Sequence, residues 1–273
     1  MKTSPADTAS ITIRDASGNI VRKFTAMPSE PKLPPPNVPE YWFSTPQPVN
    51  TTSGLHRFIW NLRYDAPRVL PASYYGPILQ YTEYTLADHA IPHETPRQQP
   101  EGPLVVPGRY IVEFTAGGHT VQQPLTVQLD PRVHATQQDL EAQLALARRI
   151  LSGIKVTYDG FQKQTALKAA IQQQNKAQSA NTDNTDKQIT AVQEGSKAEP
   201  GFGPINRDLT RLLESIEAAD QRPTEPQIQA VNETCEALVK AMNLWKEFNE
   251  NLRKQNPLNL PIDTDPQAEG CSQ

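Results

Sequence analysis

The residue types best suited to chemistry are present in this chain, yet none of them falls into a working set. His89 and His93 have three residues between them, a spacing that on a helix would turn both imidazoles toward one metal ion. Pro92 and its loop-forming neighbours argue against a helix there, and no acidic or cysteine ligand stands in a matching relation to the pair. His56, His119 and His134 are scattered and read as surface or edge-strand residues. An acid pair for glycoside hydrolysis needs two carboxyls facing across a cleft of about 5 to 9 Å. Asp65, Glu113 and Asp130 read instead as strand-end or solvent-face residues, and no segment predicts such a cleft. Ser10, Ser17 and Ser53 lack the strand-turn-helix setting of an activated nucleophile. Gly201-Phe202-Gly203-Pro204 has no lysine after it and no strand before it, so it is a helix entry rather than a phosphate-binding turn. Cys235 lies on an apolar helical face and Cys271 in a polar tail, and they form neither a disulfide framework nor a zinc pattern. No catalytic, cofactor-binding or metal residue is assigned, and no cofactor is expected.

Composition sets wide bounds. Of 273 residues, 37% are hydrophobic, with 26 prolines against 13 glycines, and the mean hydropathy is -0.59. These values point to much extended or exposed chain rather than one tight core. The net charge of -4 carries no basic stripe, which removes the electrostatic footprint that nucleic-acid binding requires. No stretch approaches the roughly 18 apolar residues needed to span a bilayer, and no apolar run follows Lys2, so neither membrane insertion nor an export signal is expected.

The elements fall into two halves. Ile11 and Ile13 alternate with Thr12 and Arg14, the turn residues Asp15 to Asn19 follow, and Ile20 to Phe24 resumes the apolar run, which predicts a β-hairpin. Residues 27–52, with Pro34-Pro35-Pro36, read as an irregular proline-rich insert. Its Tyr41, Trp42 and Phe43 are anchors on the sheet or a contact patch. Residues 54–64 read as a half-buried strand with Phe58, Trp60 and Leu62 on one face. A second insert at 65–101 carries Tyr74, Tyr75, Tyr81 and Tyr84. Two closing strands follow, in which Tyr110, Val112 and Phe114 share a face, as do Leu125, Val127 and Leu129. The half is therefore read as a β-sandwich over 10–131, after a disordered terminus at 1–9.

Past Asp130-Pro131 the apolar spacing becomes helical. Thr136 and Asp139 suit a helix start, and Leu140, Leu144, Ala147, Leu151, Ile154, Tyr158 and Phe161 repeat at fours and threes, a heptad seam within a long helix at 132–178. Residues 179–202 read as a mobile polar linker, with at most a turn of helix near Ile189 and Val192. Two further helices are expected within 203–256. The first has Pro204 in its opening turn. The second opens at Thr224-Glu225-Pro226-Gln227, the form of a capping box, and carries Ile228, Val231, Cys235, Leu238, Met242, Trp245, Phe248 and Leu252. Short connections favour a long antiparallel hairpin or three-helix bundle that projects as an arm, followed by a tail at 257–273.

The runs Ile11 to Phe24, Gly54 to Tyr64 and Val106-Pro107-Gly108-Arg109-Tyr110 together resemble the carboxy-terminal region of bacterial sortilin-like, BNR-repeat β-propeller proteins. The two latter strands also resemble the Ig-like domain of flagellar hook-capping proteins. Asp130-Pro131-Arg132 before a long helix, and Leu244-Trp245 through Asn259-Leu260, are similar to the helical tail of the same propeller proteins. The resemblance implies an Ig-like sandwich followed by helices, in a protein that is secreted or periplasmic. Family members are often labelled glycosyl hydrolases, but this chain has no Ser-x-Asp-x-Gly-x-Thr-Trp propeller box, and Asp15-Ala16-Ser17-Gly18 has the wrong order. Catalysis is therefore not expected of it.

The fold expected is α+β in two parts, and the role expected is that of a non-catalytic accessory module detached from such a propeller protein. It would associate with a protein partner or with itself through the helical arm. The alternative is a carbohydrate-binding accessory whose sugar platform would be Tyr41, Trp42, Phe43, Tyr74 and Tyr75.

Overall fold

The computed structural model describes residues 9–26, 48–70, 101–178, 183–196, 198–254 and 271. The fold is α+β: a four-stranded antiparallel sheet followed by four helices. The strands are β1 (Ala9–Asp15), β2 (Ile20–Thr25), β3 (Gly108–Ala116) and β4 (His119–Val127), in the spatial order β2-β1-β3-β4. The helices are α1 (Gln137–Gln178), α2 (Asp183–Glu194), α3 (Phe202–Ile216) and α4 (Glu225–Lys254). The chain divides into two compact units, the boundary falling within α1 between Leu144 and Ala145, with Pro67–Leu70 belonging to the second unit.

Turn chemistry fixes both hairpins of the first unit. Asp15 Oδ1 accepts from the Ser17 and Asn19 amides at 2.9 Å each, Asn19 Nδ2 donates to Asp15 Oδ2 at 3.0 Å, and Gly18 takes φ +85. Between β3 and β4 only Gly117 and Gly118 intervene, at φ +55 and +77. A two-residue turn with both φ positive matches the twist of the flanking strands and strongly favours glycine. The register pairs Ile11 with Phe114 and Ile13 with Val112, so the alternating apolar residues of neighbouring strands share a face. Ile13, Val21, Val105 and Tyr110 form the buried centre of that face, with Trp60, Tyr64 and Leu125 packed around them. Pro124 lies opposite Ile111 in β4, an edge strand in this sheet, where a missing amide hydrogen is tolerated.

The strand expected at 54–64 is not one. Leu62 takes φ 58, a left-handed conformation that interrupts an extended run, and the segment makes only the single bridge Arg63 to Leu104. The side-chain alternation holds only as far as Trp60: Phe58 packs edge-on against Phe24 at 4.7 Å and Trp60 against Tyr110 at 5.9 Å, with Ile59 62% exposed, but Leu62, expected on the covered face, is exposed while Arg63 is partly buried. The segment thus covers the sheet as irregular chain. No second sheet is present among the described residues.

In the helical unit α2 runs antiparallel to α1: Lys168 Nζ donates to Thr190 Oγ1 at 2.9 Å and Gln193 Nε2 to Thr165 Oγ1 at 3.0 Å. Further along α1, α3 continues in the same sense, with Phe202 against Gly160 and Leu209 against Gly153. Then α4 reverses and runs parallel to α1, with Arg149 bonded to Asn232 at 2.6 Å and Leu238 beside Gly153. Side-chain caps open two helices. Thr136 and Asp139 exchange bonds at the start of α1, and Gln227 Oε1 accepts from the Thr224 amide at 2.9 Å at the start of α4. The stretch read as linker at 179–202 carries α2, because Ile189 finds a fully buried site that offsets an otherwise polar sequence.

Two readings of the seam are corrected. On α1 the buried line runs through Gln143, Ala147, Ile150, Ile154, Thr157, Gln164, Leu167 and Ile171, while Leu144, Leu151, Tyr158 and Phe161 flank it. Leu140, Ala147 and Ile154 of the expected seam are buried and Leu151 and Phe161 pack against the core, while Gly153 and Gly160 admit the close approaches of Leu209 and Phe202 beside them. The cysteines are also paired: Cys235 and Cys271 form a disulfide, with their Cα atoms 5.6 Å apart. Cys271 folds back from its remote sequence position into the apolar face that holds Cys235, which spacing alone does not reveal.

Candidate functional site

A polar layer inside the helical unit is the most distinctive arrangement in the described residues. Asn206 on α3 is fully buried, and its amide bonds in three directions. Nδ2 donates to Ile154 O at 3.1 Å and to Thr157 Oγ1 at 2.9 Å, and Oδ1 accepts from the Leu70 amide at 2.9 Å. Thr157 Oγ1 in turn donates to Gly153 O at 2.8 Å or Ile154 O at 2.9 Å. A buried amide that meets its partners in this way fixes the position of every group it touches. Here it holds residues 67–70 to α1 and α3, with Leu70 and Val69 buried in consequence.

About two turns past Thr157 along α1 the polar groups have a different character. Gln164 is fully buried and Asn249 is 1% exposed, and neither amide has a hydrogen-bond partner among the described residues. The parallel run that sets Gly153 beside Leu238 brings these two residues to one level. Trp245, one turn before Asn249, also has an indole N–H without a partner among the described residues, and its ring stacks on Phe248 at 5.5 Å. Groups of this kind hold hydrogen-bonding capacity in an apolar setting and can select one helix register over another, at a cost in stability.

On the outer side of α4, Glu233, Glu236, Lys240 and Leu244 line a shallow hollow of about 250 Å³ whose other wall is Ala198 to Pro200. Leu244 is 44% exposed there, and three carboxylates, Glu199 included, face one lysine. No group of three or more metal-ligating side chains occurs among the described residues.

In the sheet unit Tyr110 is the most strongly perturbed group. Its hydroxyl donates to Val106 O at 2.6 Å, its ring is buried under Trp60, and burial, with Tyr64 and Asp15 nearby, pushes its pKa up to about 12. Trp60 Nε1 donates to Arg63 O at 3.0 Å. Asp130 is held below the usual carboxylate range by hydrogen bonds from Arg132. None of these groups is arranged against a nucleophile. His56 Nε2 bonds within its own loop, to Thr52 O at 2.8 Å.

The aromatic contact residues Tyr41, Trp42, Phe43, Tyr74 and Tyr75, together with Tyr81, Tyr84, His89 and His93, lie outside the described residues. The residues that sequence reasoning missed are Thr157, Gln164, Asn206 and Asn249. A signal for two of them was present: Gln164 stands three residues after Phe161 and Asn249 four after Trp245, both at seam spacing but with amides where apolar residues are sought. No family model matches the chain, and no curated protein or solved structure matches it.

Proposed function

We propose that this chain is a non-catalytic accessory module. In it an Ig-like β-sandwich and a three-helix bundle serve protein association or the positioning of a neighbouring domain, in the manner of the carboxy-terminal region of sortilin-like or BNR-repeat propeller proteins. The observation that carries the reading is the tie between Tyr110 and Val106 at 2.6 Å, with a tryptophan edge against the same ring. Ig-type sandwiches use a tyrosine hydroxyl bonded back to backbone a few residues upstream, and a buried tryptophan, for the same purpose of locking a strand corner. Two further features agree with it. The bridged segments around Arg63 and Leu104 cover the apolar face where a second sheet would stand, and α2 with α3 supplies one interrupted leg antiparallel to α1. Leu244 and Val239, each 44% exposed on α4, provide apolar surface for association.

The experiment mixes the purified full chain with the isolated propeller of a sortilin-like protein and measures mass by light scattering. A stable one-to-one complex supports the module reading. A chain that stays monomeric in sedimentation at high micromolar concentration and forms no complex with the propeller overturns it.

A further inference from the structure

We propose that the helical unit is completed by an oxidative step, closure of Cys235 onto Cys271, and that the chain is consequently built to mature in an oxidising compartment. The two sulfurs join an α4 residue to a residue 36 positions later. Both ends are withdrawn from solvent, Cys235 at 4% and Cys271 at 6% exposure. The seat for Cys271 is shaped for it. Gly153 on α1 has no side chain, and a Cβ placed there would come within 2.8 Å of Cys271 Sγ and 2.7 Å of Leu209 Cδ1. Arg149, one turn earlier on α1, donates through Nε to Cys271 O at 3.0 Å while its other arm bonds Asn232 on α4 at 2.6 Å. Cys271 thus contacts α1 through Arg149 and Gly153 and α4 through Cys235. A sulfur pair enclosed by side chains on several sides has poor access for a reducing thiolate, which is the setting of a structural disulfide rather than a labile regulatory one. Disulfides of that kind form and persist where the thiol pool does not keep cysteines reduced.

The chemistry balances by thiol–disulfide exchange with a disulfide oxidant of the oxidoreductase or small-molecule class. One cysteine thiolate attacks the oxidant's S–S bond, forms a mixed disulfide and releases one oxidant thiolate. The other cysteine thiolate attacks the protein-side sulfur of that mixed disulfide, forms the Cys235–Cys271 bond and releases the second thiolate. Two electrons pass from the cysteines to the oxidant, and their two protons go to solvent or the departing thiolates.

The test expresses the full chain in an oxidising compartment, denatures it without reductant and treats it with iodoacetamide before mass measurement. No adduct is expected, and two are expected after dithiothreitol in denaturant. A proteolytic digest should contain one linked pair of peptides bearing Cys235 and Cys271. In the folded protein, dithiothreitol should open the bond at least tenfold more slowly than in denaturant. Two adducts without reductant overturn the proposal, and equal opening rates overturn its structural character. Because Cys271→Ser could fold poorly, Gly153→Ala supplies a second reading. Its methyl invades the seat of Cys271, so a smaller oxidised fraction than wild type is expected under identical oxidation, and an unchanged fraction counts against the seat.

Discussion

Asn206 and Leu70, 136 residues apart in sequence, are joined by a hydrogen bond of 2.9 Å from the Leu70 amide to the Asn206 side chain, both groups buried. Replacing Asn206 with leucine leaves that amide hydrogen and the Ile154 carbonyl without this partner in an apolar setting. The expected cost is about 2 to 4 kcal/mol, larger than the roughly 1 kcal/mol of an ordinary exposed hydrogen bond. Thr157→Val removes both the bond that Thr157 donates and the one it accepts from Asn206, and should cost about 1 to 3 kcal/mol. Urea unfolding followed by helical circular dichroism would read both, and an Asn206→Leu midpoint equal to wild type would remove the network from the account of stability.

Gly160 allows the Phe202 ring to lie against the α1 backbone. A methyl there would sit 2.6 Å from Phe202 Cε2 and 2.8 Å from Cδ2. Alanine gains about 1 kcal/mol of helix propensity over glycine, whereas overpacking a filled core costs roughly 1 to 3 kcal/mol. Gly160→Ala is therefore expected to destabilise, and adding Phe202→Leu should return part of the loss. Additive effects in the double-mutant cycle would contradict direct contact between the two sites.

Gln164 and Asn249 should behave in the opposite way to Asn206. Their amides are buried without partners among the described residues, so leucine at either position removes a desolvation cost and adds apolar contact. Gln164→Leu is expected to be neutral or to raise stability by about 1 to 2 kcal/mol. A loss above about 1 kcal/mol would mean the amide is satisfied in solution. The oligomeric state of the variant should be measured alongside, since polar seam residues can specify helix register.

Little of this polar pattern was legible from sequence, and the reasons are physical. Turns and caps read well because their chemistry is local: Asp15 to Asn19, Gly117-Gly118, Thr136 with Asp139 and Thr224 with Gln227 all satisfy backbone groups within a few residues. The seam on α1 read in part: Leu140, Ala147 and Ile154 are buried as expected and Leu151 and Phe161 pack against the core, whereas Leu144 and Tyr158 flank the contact face, which Ile150, Leu167, Ile171, Gln164 and two glycines complete. The segment at 54–64 has the alternation of a strand in its sequence, but Leu62 at positive φ breaks it, leaving that side chain exposed and a single bridge in place of a ladder. A polar stretch became α2 because one residue, Ile189, had a buried place to go. The pairing of Cys235 with Cys271 depends entirely on tertiary return.

Tyr110 makes the sheet unit sensitive to alkali. Its phenol is pushed up to about 12 in the folded chain, against a value near 10 when unfolded. The folded state therefore retains a proton that the unfolded state loses, so stability is fully present below about pH 10 and falls as pH rises toward 12. Absorbance at about 295 nm should show one tyrosine titrating later than exposed phenols. Tyr110→Phe should abolish that late step and cost about 1 kcal/mol at neutral pH through the lost bond to Val106 O. A late step that persists in Tyr110→Phe would assign it to another tyrosine.

The proline in β4 has a consequence for how this sheet meets other chains. Counting from the tight turn at Ala116 and His119, alternate residues of β4 direct their backbone groups outward, and Pro124 occupies one of those outward positions. A foreign strand laid along that margin could zip past Thr120 and Gln122 but would find no hydrogen to accept at the next rung. Runaway cross-β stacking along this edge strand has an end stop built into it.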